Sequence, residues 1–363
     1  MSEIFTIDHL PGRTIQHKGQ DYLFFSGTAY LGLPQHPAFQ QLLIDSTGRY
    51  RSVFGSSRNG NLRIGIYEDA EAKLAAWVGA PMALTLSSGM LAGQAVVNLL
   101  QRQNHLFVYG PSAHPAIWNQ PSINFPALSF REWAAQLPEQ VRAIHADNQQ
   151  GKPIAILINS LDAVRSDYYP FDWIEDLPQG LSITLVVDDS HGLGVLSQGR
   201  GIWPQIIQTL NRTTSSIRLL VTASMAKAMG LPGGVVFSDA ETVENMRQSA
   251  FFGACSPIPP AYLDAYLKAG SLYTEGFDRL QQNVALAEKL LLPTGLFQHA
   301  TGYPVFFTEQ DDLYSHLLKE NIFIYSFAYP TAADRATTRI VISAFHEFDD
   351  IQRLAKSVYD YCF

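Results

Sequence analysis

Short apolar runs punctuate the first two thirds of the chain: "ALTL" (83–86), "HLFVY" (105–109), "IAILIN" (154–159), "SITLVVD" (182–188), "IRLLVTA" (217–223) and "GGVVF" (233–237). Their near-continuous apolarity predicts strands of a sheet covered on both faces. Between them, segments such as "YEDAEAKLAAWVG" (67–79) and "GMLAGQAVVNLLQ" (89–101) space their apolar residues at helical intervals. This alternation predicts an α/β fold with a mainly parallel sheet between helices. After residue 240 the pattern changes. Helices are expected over 242–252, 277–292 and 311–321, with strand-like stretches at 301–309 and 338–345. That pattern predicts a small α+β domain at the C-terminus. The expected division is an N-terminal segment (1–40) joining the small domain, a large domain (41–255), and an interdomain helix with the small domain (256–363).

With 363 residues, 47% of them hydrophobic and 16% charged, the chain has ample material for buried cores. A net charge of -8 argues against nucleic acid or an anionic membrane surface as the main partner. Small anions remain possible ligands. The two cysteines, Cys255 and Cys362, form neither a disulfide framework nor a zinc spacing, and no metal is expected. The opening "MSEIFTIDHLPGR" lacks the features of a secretory signal, and no apolar run approaches a membrane span. A cytoplasmic protein is expected.

In open α/β sheets, ligands bind beyond the carboxyl ends of the strands, so the residues at those ends carry the chemical information. "ALTL" runs into "SSGM" and a helix, which is either an ordinary N-cap turn or an anion cradle approached through Gly89. "SITLVVD" ends in "DDSHGLG". An acidic nucleotide box would need a GxxxxGK[ST] loop that the chain lacks, and a metal site would need a second ligand cluster. A carboxylate facing a cationic cofactor atom is the third reading. His114 follows a third strand and is either structural or functional. Lys227 follows a fourth, in "VTASMAKAMGLPGG", and either snorkels to water or is held for its chemistry. Together, an anion cradle, a histidine, an acid and a lysine among small residues match the needs of pyridoxal 5'-phosphate.

The same residues carry a family resemblance. "AYLGL" resembles N-x-Y-L-G-L, and "SSRNGN" with the helix after it resembles a G-S-R segment. "LSSGMLAG" is similar to a phosphate-cradling S-S-G turn, and "VVDDSHGLGVLSQGRG" to V-D-E-A-H-G-x-G-x-x-G-x-x-G-R-G. "SMAKAMGLPGG" resembles [ST]-x-[SG]-K-A-x-G-x-x-G-G, and "CSPIPPA" resembles S-T-x-x-P-P. In this order they resemble the α-oxoamine synthases among the fold-type I pyridoxal-phosphate transferases, from about residue 30 to 346, with the weakest likeness over 115–180.

The resemblance implies roles by position. Lys227 would carry the cofactor on its amine and then move the substrate's α-proton. Asp188 would face the pyridine nitrogen, His114 would stack on the ring, and His191 would lie near the phenolic oxygen. Ser88, Gly89, Met90 and Ser224 would hold the phosphate. Ser256 would supply a hydroxyl to the neighbouring subunit, implying a homodimer with shared active sites. Arg339 would bind the substrate's α-carboxylate, and Thr28 stands near the amino-acid site where the family has asparagine. Other departures are Asp189 for glutamate, Ser190 for alanine, Ala226 for serine or glycine, Tyr67 for histidine, and Ala163 for serine.

The implied reaction joins an amino acid to an acyl-CoA or acyl-carrier thioester with loss of CO2. Alanine with a pimeloyl thioester, a step toward biotin, is the favoured pair, and glycine C-acetyl transfer is the nearest rival. An aminotransferase or lyase on the same fold, and a cofactor-binding regulator, are further alternatives.

Overall fold

A computed structural model describes residues 4–148, 150–328 and 336–363. The chain divides into two compact units: one comprises residues 41–161 and 168–270, the other residues 1–40, 162–167 and 271–363.

The larger unit is built on a six-stranded sheet. Its spatial order is Met82–Leu86, Gly234–Ser238, Ile217–Ser224, Ile183–Asp188, Ile154–Asn159, Leu106–Tyr109. The last four strands are mutually parallel, and Gly234–Ser238 runs antiparallel to both of its neighbours. The apolar runs therefore become strands, and every residue of Ile183–Asp188 is buried. The helix Gly89–Arg102 contributes Ala92, Val96, Val97 and Leu100 to a core shared with Leu84, Leu157, Val186 and Leu220. The expected helix at 242–252 is instead two helices, Ala240–Arg247 and Ala250–Ala254. Ser249 divides them: its hydroxyl accepts from Phe252 N–H at 3.2 Å, capping the second, and donates to Met246 O at 2.6 Å. An 18-residue helix, Phe130–Asp147, opens on a capping box between Ser129 and Glu132, in the stretch where family likeness is weakest.

A buried ion-pair cluster anchors the strand that leads to the cradle. Glu71 accepts from Arg58 Nη1 at 2.7 Å and from Arg247 Nη2 at 2.6 Å, and also from Thr85 N–H and Oγ1, both at 2.8 Å. The Arg58 guanidinium lies 4.4 Å from the Tyr67 ring centroid, and the Tyr67 hydroxyl donates to Ile258 O at 2.8 Å. Each buried charge thus has its partners, as burial demands.

The smaller unit holds two three-stranded sheets. The hairpin Thr14–His17/Gln20–Phe24 turns through Lys18 and Gly19, both at positive φ, and is joined in parallel by Ile322–Phe323. Ala336–Val341 lies between Val305–Thr308 and Tyr325–Ala328, antiparallel to both. Its α-helices include Gly270–Leu291, whose first residue belongs to the larger unit, Leu313–Lys319, within the expected 311–321, and Phe348–Cys362. Among the described residues no helix is long and apolar enough to cross a membrane, and no group of three His, Cys, Asp or Glu is placed to hold a metal ion.

His346 ties this smaller unit together. Its Nδ1 accepts from Ser343 N–H at 3.0 Å, its Nε2 donates to Phe24 O at 2.9 Å, and its ring stacks on Phe25 at 4.1 Å. The two hydrogen bonds fix one neutral tautomer, because a proton on Nδ1 would meet an N–H. Burial pulls the pKa from 6.5 down to about 4. The folded value lies below the unfolded one, so this stabilisation is fully present above pH 6.5 and is lost as pH falls toward 4. The loss is on the order of 3 kcal/mol. Denaturant unfolding is expected to show that His346→Gln costs the chain more stability at pH 7 than at pH 5, the difference between native and variant carrying that slope.

Candidate active site

The site of the larger unit is assembled at the carboxyl ends of its strands. Met82–Leu86 ends in Ser87 and Ser88, and Ser88 is the N-cap of Gly89–Arg102, its hydroxyl accepting from Leu91 N–H at 3.1 Å. Ala92 N–H makes the first intrahelical bond, to Ser88 O at 3.0 Å. The N–H groups of Gly89 and Met90 belong to the turn before it, where a helix offers them no acceptor of its own. Glycine is required at 89, because a Cβ there would lie 2.6 Å from Ser224 Cβ and 2.8 Å from Ser224 Cα. The cradle of Ser88, Gly89 and Met90 is thus pressed against the end of the strand that precedes Lys227.

Lys227 lies in the turn after Ile217–Ser224. The turn is closed by Met225 N–H to Gly233 O and Leu231 N–H to Met225 O, both at 2.9 Å, and by Gly230 N–H to Lys227 O at 3.1 Å. Met225, Ala228, Met229 and Leu231 are all core residues, which explains the apolar run around the lysine. Lys227 itself is half-buried. Its ammonium lies near enough to lower the pKa values of both His114 and Asp189.

Asp188 is buried at the end of its strand, where Oδ1 accepts from Ser190 N–H at 2.9 Å. Its Oδ2 is 3.5 Å from His114 Nδ1. That nitrogen accepts from Ala116 N–H at 3.2 Å, so its one lone pair is engaged there, it carries no proton for the carboxylate, and the contact is not an ion pair. Burial lowers the His114 pKa, outweighing the opposing pull of Asp188. A neutral, fixed imidazole results. His191 follows in the turn where Gly192 and Leu193 N–H donate to Asp189 O, at 3.0 and 2.9 Å. Ser256 is exposed. It follows Cys255, whose sulfur is 3.3 Å from Ser87 Oγ, so the segment passes beside the cradle turn.

The structure therefore brings Asp188, His114 and Lys227 within electrostatic reach of one another, and joins Ser224 to the cradle. Thr28 and Arg339 belong to the smaller unit. Thr28 is half-buried in the turn after Gln20–Phe24, and Arg339 is a buried residue of Ala336–Val341. Arg339 Nη1 donates to Ala163 O at 3.2 Å, and its charge partly offsets the burial that raises the Tyr30 pKa. Asn159 was missed in the sequence. It pairs with Asp188 in register, and its amide accepts from His114 N–H at 3.0 Å and donates to Ser112 O at 2.7 Å. A single polar residue closing "IAILIN" was the signal available.

The family model for aminotransferase class I and II matches residues 51–358. The chain belongs to the aminotransferase class I and II family. Within it, an 8-amino-7-oxononanoate synthase of Cronobacter sakazakii is 30% identical over 382 aligned residues, covering 97% of this chain and 92% of its own. A serine palmitoyltransferase solved with PLP aligns with a TM-score of 0.79 at 16% identity, over 98% of this chain and 91% of that one. The crystal structure of an 8-amino-7-oxononanoate synthase from Francisella tularensis aligns at 0.64 and 21%, over 94% and 99%. The likeness to the α-oxoamine synthases and the fold-type I architecture are both borne out.

Asp189 gives this family member a measurable signature. Its Oδ2 accepts from Ile202 N–H at 2.8 Å, and glycines at 192 and 201 leave room for the carboxyl, since a Cβ at either would lie within 2.2 Å of its oxygens. Burial pushes the carboxyl up to about 7, against the pull of Ile202, Ser160 and Lys227. The folded value lies above the unfolded 3.8, so the associated stability is present below pH 3.8 and is lost as pH rises toward 7. The change is on the order of 4 kcal/mol. Asp189→Asn is expected to remove that slope from unfolding free energies measured between pH 4 and pH 8.

Proposed function

We propose that this chain is a pyridoxal-phosphate-dependent α-oxoamine synthase that joins an amino acid to an acyl thioester with loss of CO2. Alanine and a pimeloyl thioester are the proposed pair, as in an 8-amino-7-oxononanoate synthase. The observation that carries the reading is the convergence of Lys227, Asp188 and His114 beside a helix-start cradle that only glycine at position 89 permits.

These residues fit the cofactor. The first-turn N–H groups at Gly89 and Met90, with the hydroxyls of Ser88 and Ser224, suit a phosphate. Asp188 is a buried carboxylate, and its negative charge beside a ring nitrogen would keep a proton on that nitrogen. Pyridoxal phosphate, once bound, supplies an electron-poor ring that stabilises negative charge at a substrate's α-carbon. Lys227 provides the amine that holds it and then moves a proton at that carbon. His114 offers a flat neutral ring that adds no competing charge, and His191 would donate to the phenolic oxygen. Arg339 provides a planar fork for the α-carboxylate, anchored through Ala163 O. Thr28 bears on which amino acid is accepted. Ser256, exposed beside the cradle turn, would serve a second copy of the chain, making a cytoplasmic homodimer with shared sites.

The test is an absorbance spectrum of the protein with pyridoxal phosphate, followed by titration with alanine, glycine and serine and by an assay of CoA and CO2 release. A visible band that responds to alanine, with CoA released from pimeloyl-CoA, is the expected result. A response to glycine with acetyl-CoA would reassign the substrates, and keto-acid exchange without CoA release would sink the synthase reading. Lys227→Ala is expected to lose the band and to lower turnover by a factor on the order of 10^4.

A further inference from the structure

Ser190 stands where the family motif has alanine, and its hydroxyl does something alanine cannot. The parallel ladder between Ile183–Asp188 and Ile217–Ser224 ends with Asp188 opposite Thr222 and one more bond, Asp189 N–H to Thr222 O at 2.7 Å. Alternate N–H groups along a strand point to opposite neighbours. Met225 N–H donates to Gly233 O, so Ser224 N–H points back toward the acid's strand. There the chain has already turned away, and the Asp189 carbonyl accepts from Gly192 and Leu193 instead.

Ser190 Oγ fills the missing place, accepting from Ser224 N–H at 2.9 Å. The N–H of the same buried residue donates to Asp188 Oδ1 at 2.9 Å. On its other side, Ser224 is the residue that a Cβ on Gly89 would strike. One residue therefore holds the acid through its backbone and the cradle side through its hydroxyl.

We infer that Ser190 is a positioning residue for the cofactor, setting the spacing between Asp188 and the phosphate cradle at Gly89 and Ser224. This rests on the cofactor assignment proposed above. Pyridoxal phosphate is a rigid ligand gripped at both ends, so a loosened spacing is read as lost affinity. Alanine at 190 keeps the N–H to Asp188 but removes the acceptor from Ser224, three residues before Lys227.

The experiment measures the dissociation constant for pyridoxal phosphate by absorbance titration of the full-length apo-protein, with the thermal midpoint of each apo-variant. Ser190→Ala is expected to raise the constant about tenfold, as befits one lost hydrogen bond, while the apo midpoint falls by no more than about 3 °C. Ser190→Thr keeps the hydroxyl and is expected to recover most of the affinity. A native constant and spectrum in Ser190→Ala overturns the inference, as does a threonine variant that folds normally and binds as weakly as alanine. A midpoint lowered by about 10 °C or more, with affinity lost in parallel, assigns Ser190 to folding and overturns it too. Absence of a visible band in the native protein overturns the cofactor assignment along with it, whereas a normal native band with an unchanged alanine variant overturns the role of Ser190 alone.

Discussion

Asp188 and Asp189 lie side by side at the end of a strand whose residues are all buried, and each carboxyl accepts a hydrogen bond from a donor that the chain carries to it. Asp188 is met by the N–H of Ser190, and Asp189 by the N–H of Ile202. Asp189 shapes the turn that follows, because its oxygens occupy the space that side chains at 192 and 201 would need. Hydrogen bonds and small residues here are consequences of burying two carboxyl groups, since a buried polar group without a hydrogen bond is expensive. The turn bearing His191 and the register of the neighbouring strand follow from that demand.

The same economy of partners recurs at Glu71, which answers two arginines and a threonine in the larger unit. It explains why a sequence so poor in charge places several of its charges inside. The smaller unit shows the neutral version of this rule. His346 is held in one tautomer by a donor and an acceptor of the backbone, and so contributes a polar contact without a charge. In both units the buried polar groups tie segments far apart in the chain, which apolar contacts, being non-directional, would align less strictly.

Much of the fold was legible in the order of apolar runs. Strands such as Ile154–Asn159 appear at the expected positions because continuous apolarity has few other uses in a short segment. The division of 242–252 was not legible, since Ser249 acts as a cap only once its hydroxyl finds Met246 O and Phe252 N–H. The helix at Phe130–Asp147 carries its own capping box, a local signal independent of family likeness. Asn159 was not legible as a site residue because its role depends on His114, 45 residues away.

The sequence by itself determined the chemical inventory: a lysine among small residues, an acid closing an apolar strand, a helix opening on "SSGM", and the motifs that place the chain in its family. Residue type and spacing suffice for that, because they limit what chemistry a strand end can offer. Only the tertiary structure decided which nitrogen of His114 is an acceptor, that Gly89 must be bare because Ser224 lies against it, and that Ser190 replaces a missing carbonyl at the end of a ladder. Those facts depend on distances between residues remote in sequence. Close packing sets such distances, and no local pattern encodes them.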